Sequence, residues 1–238
     1  MPSLSITSHL LAGGLAFVFF WGAVLTVKGS QPHRRFGRLF FLSLLPVGLT
    51  VGALLLLRSD TFDPARLVQF VYLLLCLLTI GTVGWTAIRW KDDLERFRGT
   101  HFRVLGPVLF VSGAVVLAAG ILSRQPLAVI LSSIGLVFGA AMIRFAWLRV
   151  PVHPKWWLGW HLSSVFLLLN AVHGSLLALA YRTFIDAAGY ETAQLVTQPA
   201  TLLLALALRI YVGRQRGVPM RFSADAPQLR ATPAATTS

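Results

Sequence analysis

Residues 156–181, WWLGWHLSSVFLLLNAVHGSLLALAY, decide the fold class of this chain. The stretch contains no Asp, Glu, Lys or Arg. It is longer than the roughly 20 apolar residues that a helix needs to cross a bilayer core of about 30 Å. Its polar side chains include His161, Asn170 and His173. The stretch therefore predicts a membrane-spanning helix whose imidazole and amide groups face other helices rather than lipid.

The composition of the whole chain agrees with this interpretation. Hydrophobic residues make up 56% of the sequence and charged residues 12%, and the mean hydropathy is +0.73, all outside the range of soluble domains. We predict an all-α, polytopic bundle of seven spanning helices over residues 1–213. Residues 214–238, rich in Ala, Pro, Ser and Thr, predict a disordered cytoplasmic tail. The predicted spans are approximately 7–27, 37–57, 67–88, 104–122, 127–148, 157–181 and 195–212.

The basic residues predict the orientation of the bundle. The formal net charge is +13, and seventeen of the 21 Lys and Arg residues fall in alternate loops or near the C-terminus. The positive-inside rule then puts the N-terminus outside and the C-terminus in the cytoplasm, which requires an odd number of spans. Attraction to anionic lipid headgroups accounts for the rest of the charge, so no nucleic-acid partner is indicated.

Several classes of membrane protein are disfavoured by residues that the spans lack. All eight acidic residues fall in predicted loops or the tail, which argues against a cation-driven transporter, because such proteins usually carry a carboxylate within the membrane. The seventh span contains no lysine for a retinal Schiff base. Cys76 is the single cysteine, which excludes an intrachain disulfide or a cysteine-ligated iron–sulfur cluster. It is expected in the core.

Histidine is the remaining residue type with functional chemistry. His173 is the deepest ionisable group of the predicted spans, and Asn170 lies three residues before it, so we expect the two in one polar pocket. A b-type haem is held by imidazole ligands on facing helices. His173 with His9 would form an outer haem site, and His161 with His33 or His101 an inner one.

Two alternatives to haem stay open for these histidines. They are a metal or quinone site, and imidazoles that only form hydrogen bonds to neighbouring helices. The twelve residues between His161 and His173 correspond to about 120° of rotation, so these two side chains do not share a helix face.

The cytoplasmic ends of the second and fourth spans predict a second kind of site. His33 and His101 each precede a span, with arginines nearby, at a helix N-terminus that carries partial positive charge. Such ends are able to bind a lipid phosphate, a haem propionate or a charged substrate. The alternative is that positive-inside anchoring alone explains the arginines. The arginines concerned are Arg34, Arg35, Arg38 and Arg103.

These segments resemble a known family. SHLLAGG at 8–14, the KG turn at 28–29 and HRRFGRLF at 33–40 are similar to a family of bacterial predicted membrane proteins of unknown function, and WHLSS at 160–164 is a further, weaker match. The resemblance covers about the first quarter of the chain. It implies a multi-pass protein of the bacterial inner membrane, and it brings no established activity.

The sequence thus predicts an integral inner-membrane protein with a histidine-lined site for a redox cofactor, such as b-type haem or a quinone, or for a small ligand. A carboxylate-free transporter of small solutes and a noncatalytic membrane component are the alternatives. An electron-transfer or other membrane protein is a candidate partner. Histidine nitrogens that converge would favour the cofactor, whereas nitrogens scattered toward lipid would argue against it.

Overall fold

The computed structural model describes residues 4–57, 64–186 and 189–220. Seven of the helices in these ranges are long and apolar enough to cross a membrane, which confirms the predicted number of spans and the all-α class. The remaining helix, Leu94–Phe97, is too short to cross a membrane. The helices are α1 (Leu4–Leu25), α2 (Gln31–Leu57), α3 (Pro64–Arg89), α4 (Leu94–Phe97), α5 (Thr100–Leu122), α6 (Pro126–Ala146), α7 (Trp156–Phe184) and α8 (Tyr190–Arg216).

Most helices extend beyond the apolar stretches that predicted them. Helix α2 begins at Gln31, six residues before the predicted span, because the polar turn that contains Arg34 is helical as well. Helix α8 continues to Arg216 and so enters the segment predicted as tail. The chain then reverses at Gly217, whose φ is 60°, and Val218 is buried. The rest of the predicted tail, residues 221–238, lies outside the described residues.

Local signals explain where two of the helices begin. Gly29 adopts a positive φ of 82°, and the Ser30 hydroxyl accepts a hydrogen bond from the backbone N–H of His33, as an N-cap does. Helix α6 begins at Pro126, a residue that suits the first turn because its missing N–H would have no intrahelical partner there. These turns are short, so consecutive helices are antiparallel neighbours.

The bundle is built from three helical hairpins around α3. Helices α1 and α2, α5 and α6, and α7 and α8 pack as pairs. Helix α3 packs against α2, α5 and α7, and thereby joins the three hairpins. Helix α7 also contacts α1, so that α1, α2, α3 and α7 enclose a common interior. The histidines of the candidate site lie along this interior.

Glycine residues allow α5 and α6 to pack closely against each other. A Cβ at Gly139 would lie 2.7 Å from the backbone nitrogen of Phe110, and one at Gly113 would lie 2.9 Å from that of Leu136. Backbone atoms cannot move away as a side chain could. The two helices therefore approach closely because these positions are glycine, which is how helices associate in lipid, where no hydrophobic effect drives them together.

Tyr72 fastens α3 to the backbone of α6. Its hydroxyl donates to the carbonyl of Leu131 at 2.9 Å and accepts from the N–H of Gly135 at 2.8 Å. These two backbone groups are four residues apart and would otherwise pair with each other, so the hydroxyl joins the helical ladder of α6. Cys76, one turn after Tyr72, is buried in the core as predicted.

The charged residues divide the bundle into two unlike ends. We call the end where α2, α5 and α7 begin the basic end, since Lys28, Arg103 and Lys155 lie there. Of the acidic residues within the described ranges, Glu95 lies in α4 and Glu191 in the first turn of α8, and none lies in the middle of a spanning helix. Asp60, Asp63 and Asp225, predicted in loops or tail, lie outside the described residues.

Candidate functional site

His33 and His161 present their imidazoles in the same way. The Nδ1 of His33 lies 2.9 Å from the carbonyl oxygen of Ala23, and the Nδ1 of His161 lies 3.2 Å from that of Gly84. A carbonyl oxygen only accepts hydrogen bonds, so both Nδ1 atoms carry the proton. Each Nε2 then keeps its lone pair, and neither has a hydrogen-bond partner among the described residues.

The two imidazoles belong to one crevice at the basic end. His33 lies two turns before Phe41 on α2, the Phe41 ring borders the ring of His161, and both imidazoles are partly exposed. On α2, Gly37 lies one turn after His33 and one turn before Phe41, so the three residues follow one side of the helix. Apart from the adjacent residues and nearby backbone of α2 itself, no described atom lies within 4 Å of the position that a Cβ would take at Gly37. We call the region around His33, Gly37, Phe41, Gly84 and His161 the basic-end crevice.

Gly84 allows α3 to pack closely against α2 and α7 and so to form the second side of the basic-end crevice. A Cβ at Gly84 would lie 2.9 Å from the ring of Phe41 and 2.8 Å from the Cβ of Ser164. The absence of a side chain lets α3 approach α7 closely enough for the Gly84 carbonyl to accept the His161 proton. The Phe41 ring lies 6.1 Å from the imidazole of His161, so an aromatic ring borders that imidazole.

A row of aromatic rings leads from the crevice toward the middle of the bundle. Phe41 contacts Phe40, and Phe40 contacts Phe20 of α1, with 5.4 Å between ring centroids in both pairs. Phe20 in turn lies 5.4 Å from the imidazole of His173. The space between α1, α2 and α7 is thus filled by rings, with His161 at one end of the row and His173 at the other.

His173 has no nitrogen left for a ligand. Its Nδ1 donates to the carbonyl of Leu169 at 2.9 Å, and its Nε2 accepts the indole N–H of Trp21 at 2.9 Å. Phe17 and Phe20 pack against the ring at 5.2 and 5.4 Å. His173 therefore faces the bundle, as predicted for a buried imidazole, but it acts as a hydrogen-bonded link between α7 and α1.

His9 and His173 do not meet, although the sequence suggested them as a pair of haem ligands. His9 hydrogen-bonds through Nδ1 to the Thr50 hydroxyl of α2 at 3.0 Å. Trp21, which binds His173, lies twelve residues further along α1, or roughly 18 Å at 1.5 Å per residue. The outer pair is therefore separated along the length of the membrane span, because the register of α1 against α7 sets Trp21 rather than His9 beside His173.

Asn170 also lies apart from His173, contrary to the expected shared pocket. Its amide donates to the backbone carbonyl of Gln198 at 3.0 Å and to the Thr201 hydroxyl at 2.8 Å, both on α8. The Gln198 side chain packs so closely on Gly174 that a Cβ there would lie 2.6 Å from its Oε1. This buried polar cluster joins α7 to α8.

We expect Asn170→Ala to lower stability without changing the crevice. The substitution removes an amide that satisfies buried acceptors on α8, a loss of about 1–3 kcal/mol. Thermal unfolding in detergent measures it, with Thr183→Ala as the control, since the Thr183 hydroxyl is exposed and bonds only within its own helix. Equal melting temperatures for the two variants would show that the hydrogen bonds from Asn170 to α8 do not stabilise the bundle.

His101 lies at the α5 side of α3 and does not join the crevice. Its ring packs against Trp90 at 5.1 Å and against Phe102 at 6.4 Å. The Nε2 is enclosed and has no hydrogen-bond partner within the described part of the chain. Of the two partners that the sequence offered for His161, His33 lies on the same side of α2 as Phe41, whose ring borders His161, whereas His101 packs on Trp90.

The arginines predicted to bind an anion are exposed and lie in three places. The first group is Arg34 and Arg38. Arg34 and Arg38 lie on the first turns of α2, and Arg34 is two turns before Phe41 on the same side of the helix. Arg35 points away from them and lines a shallow groove with Phe36 and Leu39. Arg103 belongs to α5. The first group alone therefore flanks the crevice.

Two cationic residues have roles that the sequence did not indicate. Arg209, counted with the C-terminal basic residues, is 3% exposed, and it donates to the Ser163 hydroxyl and to the carbonyl of Pro219. Lys28 donates to the carbonyl of Ala23 at the end of α1. Burial lowers the pKa of the Lys28 ammonium, and the positive charge of Arg216 lowers it further.

Trp21, Gly37 and Gly84 shape the histidine environments, and sequence reasoning missed all three. Tryptophan near a helix end and glycine within a span are common in membrane proteins, so neither carried a specific signal.

Across the described residues, no group of three or more His, Cys, Asp or Glu side chains could hold a metal ion. No protein-family model, curated protein or solved structure matches this chain. Within the described residues, His33 and His161 each have a ring oriented by a backbone carbonyl and an Nε2 without a hydrogen-bond partner.

Proposed function

We propose that this chain is a membrane-embedded redox protein that binds a b-type haem in the basic-end crevice, with His33 and His161 as axial ligands. The observation that carries the proposal is the shared orientation of the two imidazoles. In metal sites, a ligating histidine almost always donates its other ring N–H to a carbonyl or carboxylate, which fixes the tautomer and raises the basicity of the ligating nitrogen. Ala23 and Gly84 supply such carbonyls.

The walls of the crevice also suit a flat, largely apolar ring with acidic substituents. The absent side chain at Gly37 leaves room beside His33, and Phe41 provides an aromatic wall beside His161. Arg34 and Arg38 flank the crevice where they would pair with two propionates. A haem bound by two imidazoles supplies one-electron transfer. The part of the protein in this chemistry would be to orient both ligands through the carbonyls of Ala23 and Gly84.

We further propose that the basic end faces the cytoplasm of a bacterium and that an electron-transfer partner docks there. The support is the excess of Lys and Arg at this end, together with the resemblance of residues 8–14 and 33–40 to a bacterial membrane-protein family. Under this orientation the crevice opens at the cytoplasmic interface, and anionic lipid headgroups surround it.

The test is the reduced-minus-oxidised absorption spectrum of the full chain, purified in mild detergent from cells supplied with haem. We expect a Soret band with sharp α and β bands. A featureless spectrum from folded protein would overturn the haem proposal, and a quinone, another small ligand, a transported solute or a noncatalytic role would then replace it.

Gly37→Leu tests the crevice without touching a ligand. A leucine at this position would fill the space that the proposed haem needs, so we expect the α band to fall at least about tenfold, as when a supporting residue of a metal site is lost. Gly52→Leu on the same helix is the matched control, because a Cβ at Gly52 also meets no atom within 4 Å and lies far from His33. Equal haem content in the two variants would contradict the assignment of the crevice.

A further inference from the structure

Arg98 is a buried cation at the basic end, outside the crevice. It lies between α4 and Gly99, the N-cap of α5, and is 7% exposed. Its guanidinium stacks on the Phe145 ring at 4.5 Å, and Nη1 donates to the carbonyl of Leu148 at 3.4 Å. These two contacts hold the guanidinium between Phe145 and the Leu148 carbonyl.

The opposite edge of the same guanidinium has no partner. Nε and Nη2 are both buried, and neither donates a hydrogen bond to any described residue. This edge carries two parallel N–H groups, the geometry that binds a carboxylate or phosphate in a bidentate manner. Arg209 provides a contrast, because its Nε and Nη2 are both in use. A buried charged edge without an acceptor is costly, so the fixed orientation of Arg98 points to a missing oxyanion.

Charges of both signs and a helix N-terminus lie near this edge. Arg103 lies within electrostatic range of Arg98, and so does the exposed carboxylate of Glu95, which makes no hydrogen bond to Arg98. Helix α5, 23 residues long, begins at Thr100, two residues after Arg98. Its N-cap, Gly99, has no side chain that could accept hydrogen bonds from the first N–H groups of the helix. The helix N-terminus and the second arginine would therefore stabilise an anion held by Arg98.

We propose that Arg98, assisted by Arg103 and the N-terminus of α5, binds a phosphate group through Nε and Nη2. The ligand is either a free phosphate or the phosphate of a lipid headgroup, because both present the same oxygens. This site lies on the α4–α5 connection, and it does not depend on haem in the crevice.

The experiment compares the melting temperature of the full chain in detergent with inorganic phosphate and with sodium chloride at equal ionic strength. At about ten times the dissociation constant, we expect phosphate to raise the melting temperature by about 3–6 °C. Arg98→Lys keeps the charge and loses the bidentate edge, so it should abolish the shift. Arg96→Lys is the control, because Arg96 is exposed and stacks on Trp90.

A parallel arm separates the two sources of phosphate. The proteins are reconstituted in vesicles of a lipid without phosphate, digalactosyldiacylglycerol, with or without phosphatidylglycerol. A stabilisation that depends on Arg98 and requires phosphatidylglycerol identifies a lipid headgroup, whereas one seen with inorganic phosphate alone identifies a free ion. No stabilisation in either arm, or the same stabilisation in Arg98→Lys, would overturn the proposal. If Arg98→Lys does not fold, equilibrium dialysis of labelled phosphate and retention of labelled phosphatidylglycerol by the wild type in detergent decide, and binding below one equivalent per chain in both measurements overturns the proposal.

Discussion

In the His161→Ala variant, we expect the α band of the b-type spectrum to fall by more than about tenfold relative to the wild type. The imidazole of His161 is fixed by its bond to the Gly84 carbonyl, and no other described side chain offers a free ring nitrogen at that wall of the crevice. His33→Ala should have a similar effect from the opposite wall. The measurement is the pyridine haemochrome content per chain, together with the reduced-minus-oxidised spectrum.

The remaining histidines serve as controls for this result. His9→Ala and His101→Ala should keep the wild-type haem content, because their rings contact Thr50 and Trp90 rather than the crevice. His173→Ala should also keep it, although it removes the hydrogen bond from Trp21. If haem were instead lost from the His9 and His173 variants and retained in the His161 variant, the ligand assignment would be wrong.

The second large effect is expected from Gly139→Ala in the α5–α6 hairpin. The new methyl group would lie 2.7 Å from the Phe110 nitrogen and 3.0 Å from the Gly106 oxygen, both backbone atoms. The helices must then move apart, at a cost of about 1–3 kcal/mol. For a chain of this length, each kcal/mol corresponds to a decrease of about 2–4 °C in the melting temperature.

Gly14→Ala is the matched control for Gly139→Ala. Both glycines lie within spanning helices, and a Cβ at Gly14 meets no atom within 4 Å. Alanine forms helix more readily than glycine by about 1 kcal/mol, so Gly14→Ala should leave the melting temperature unchanged or raise it. A decrease of the same size in both variants would show that the close approach of α5 and α6 is not what makes Gly139 sensitive.

The candidate site was predictable from the sequence only in part. The residue types were evident, because imidazoles within apolar spans are costly and must find partners. The rotation of 120° between His161 and His173 was also predictable, and the two rings indeed face α3 and α1 respectively. The partners themselves were not predictable. Trp21 is 152 positions from His173, and no local pattern connects them.

The position of Asn170 shows why closeness along one helix did not predict which side chains share a pocket. Asn170 and His173 are three residues apart, yet one bonds to α8 and the other to α1. Their Cα atoms differ by about 60° in direction, which is enough to direct two side chains to different neighbours in a tightly packed bundle. Only the arrangement of α1 and α8 around α7 decides which neighbour each side chain meets.

The sequence by itself determined the class of this protein, because the hydrocarbon thickness of a membrane imposes a length and an apolarity that each span must meet alone. It also determined which polar residues needed explanation, including His33, His161 and His173. The tertiary structure decided which of them keep a free nitrogen. That outcome depends on the rotation and axial register of each helix against its neighbours, and these are set by contacts such as Gly84 against Phe41 and Ser164. Such contacts join residues far apart in the chain, so hydropathy and spacing along one helix do not encode them.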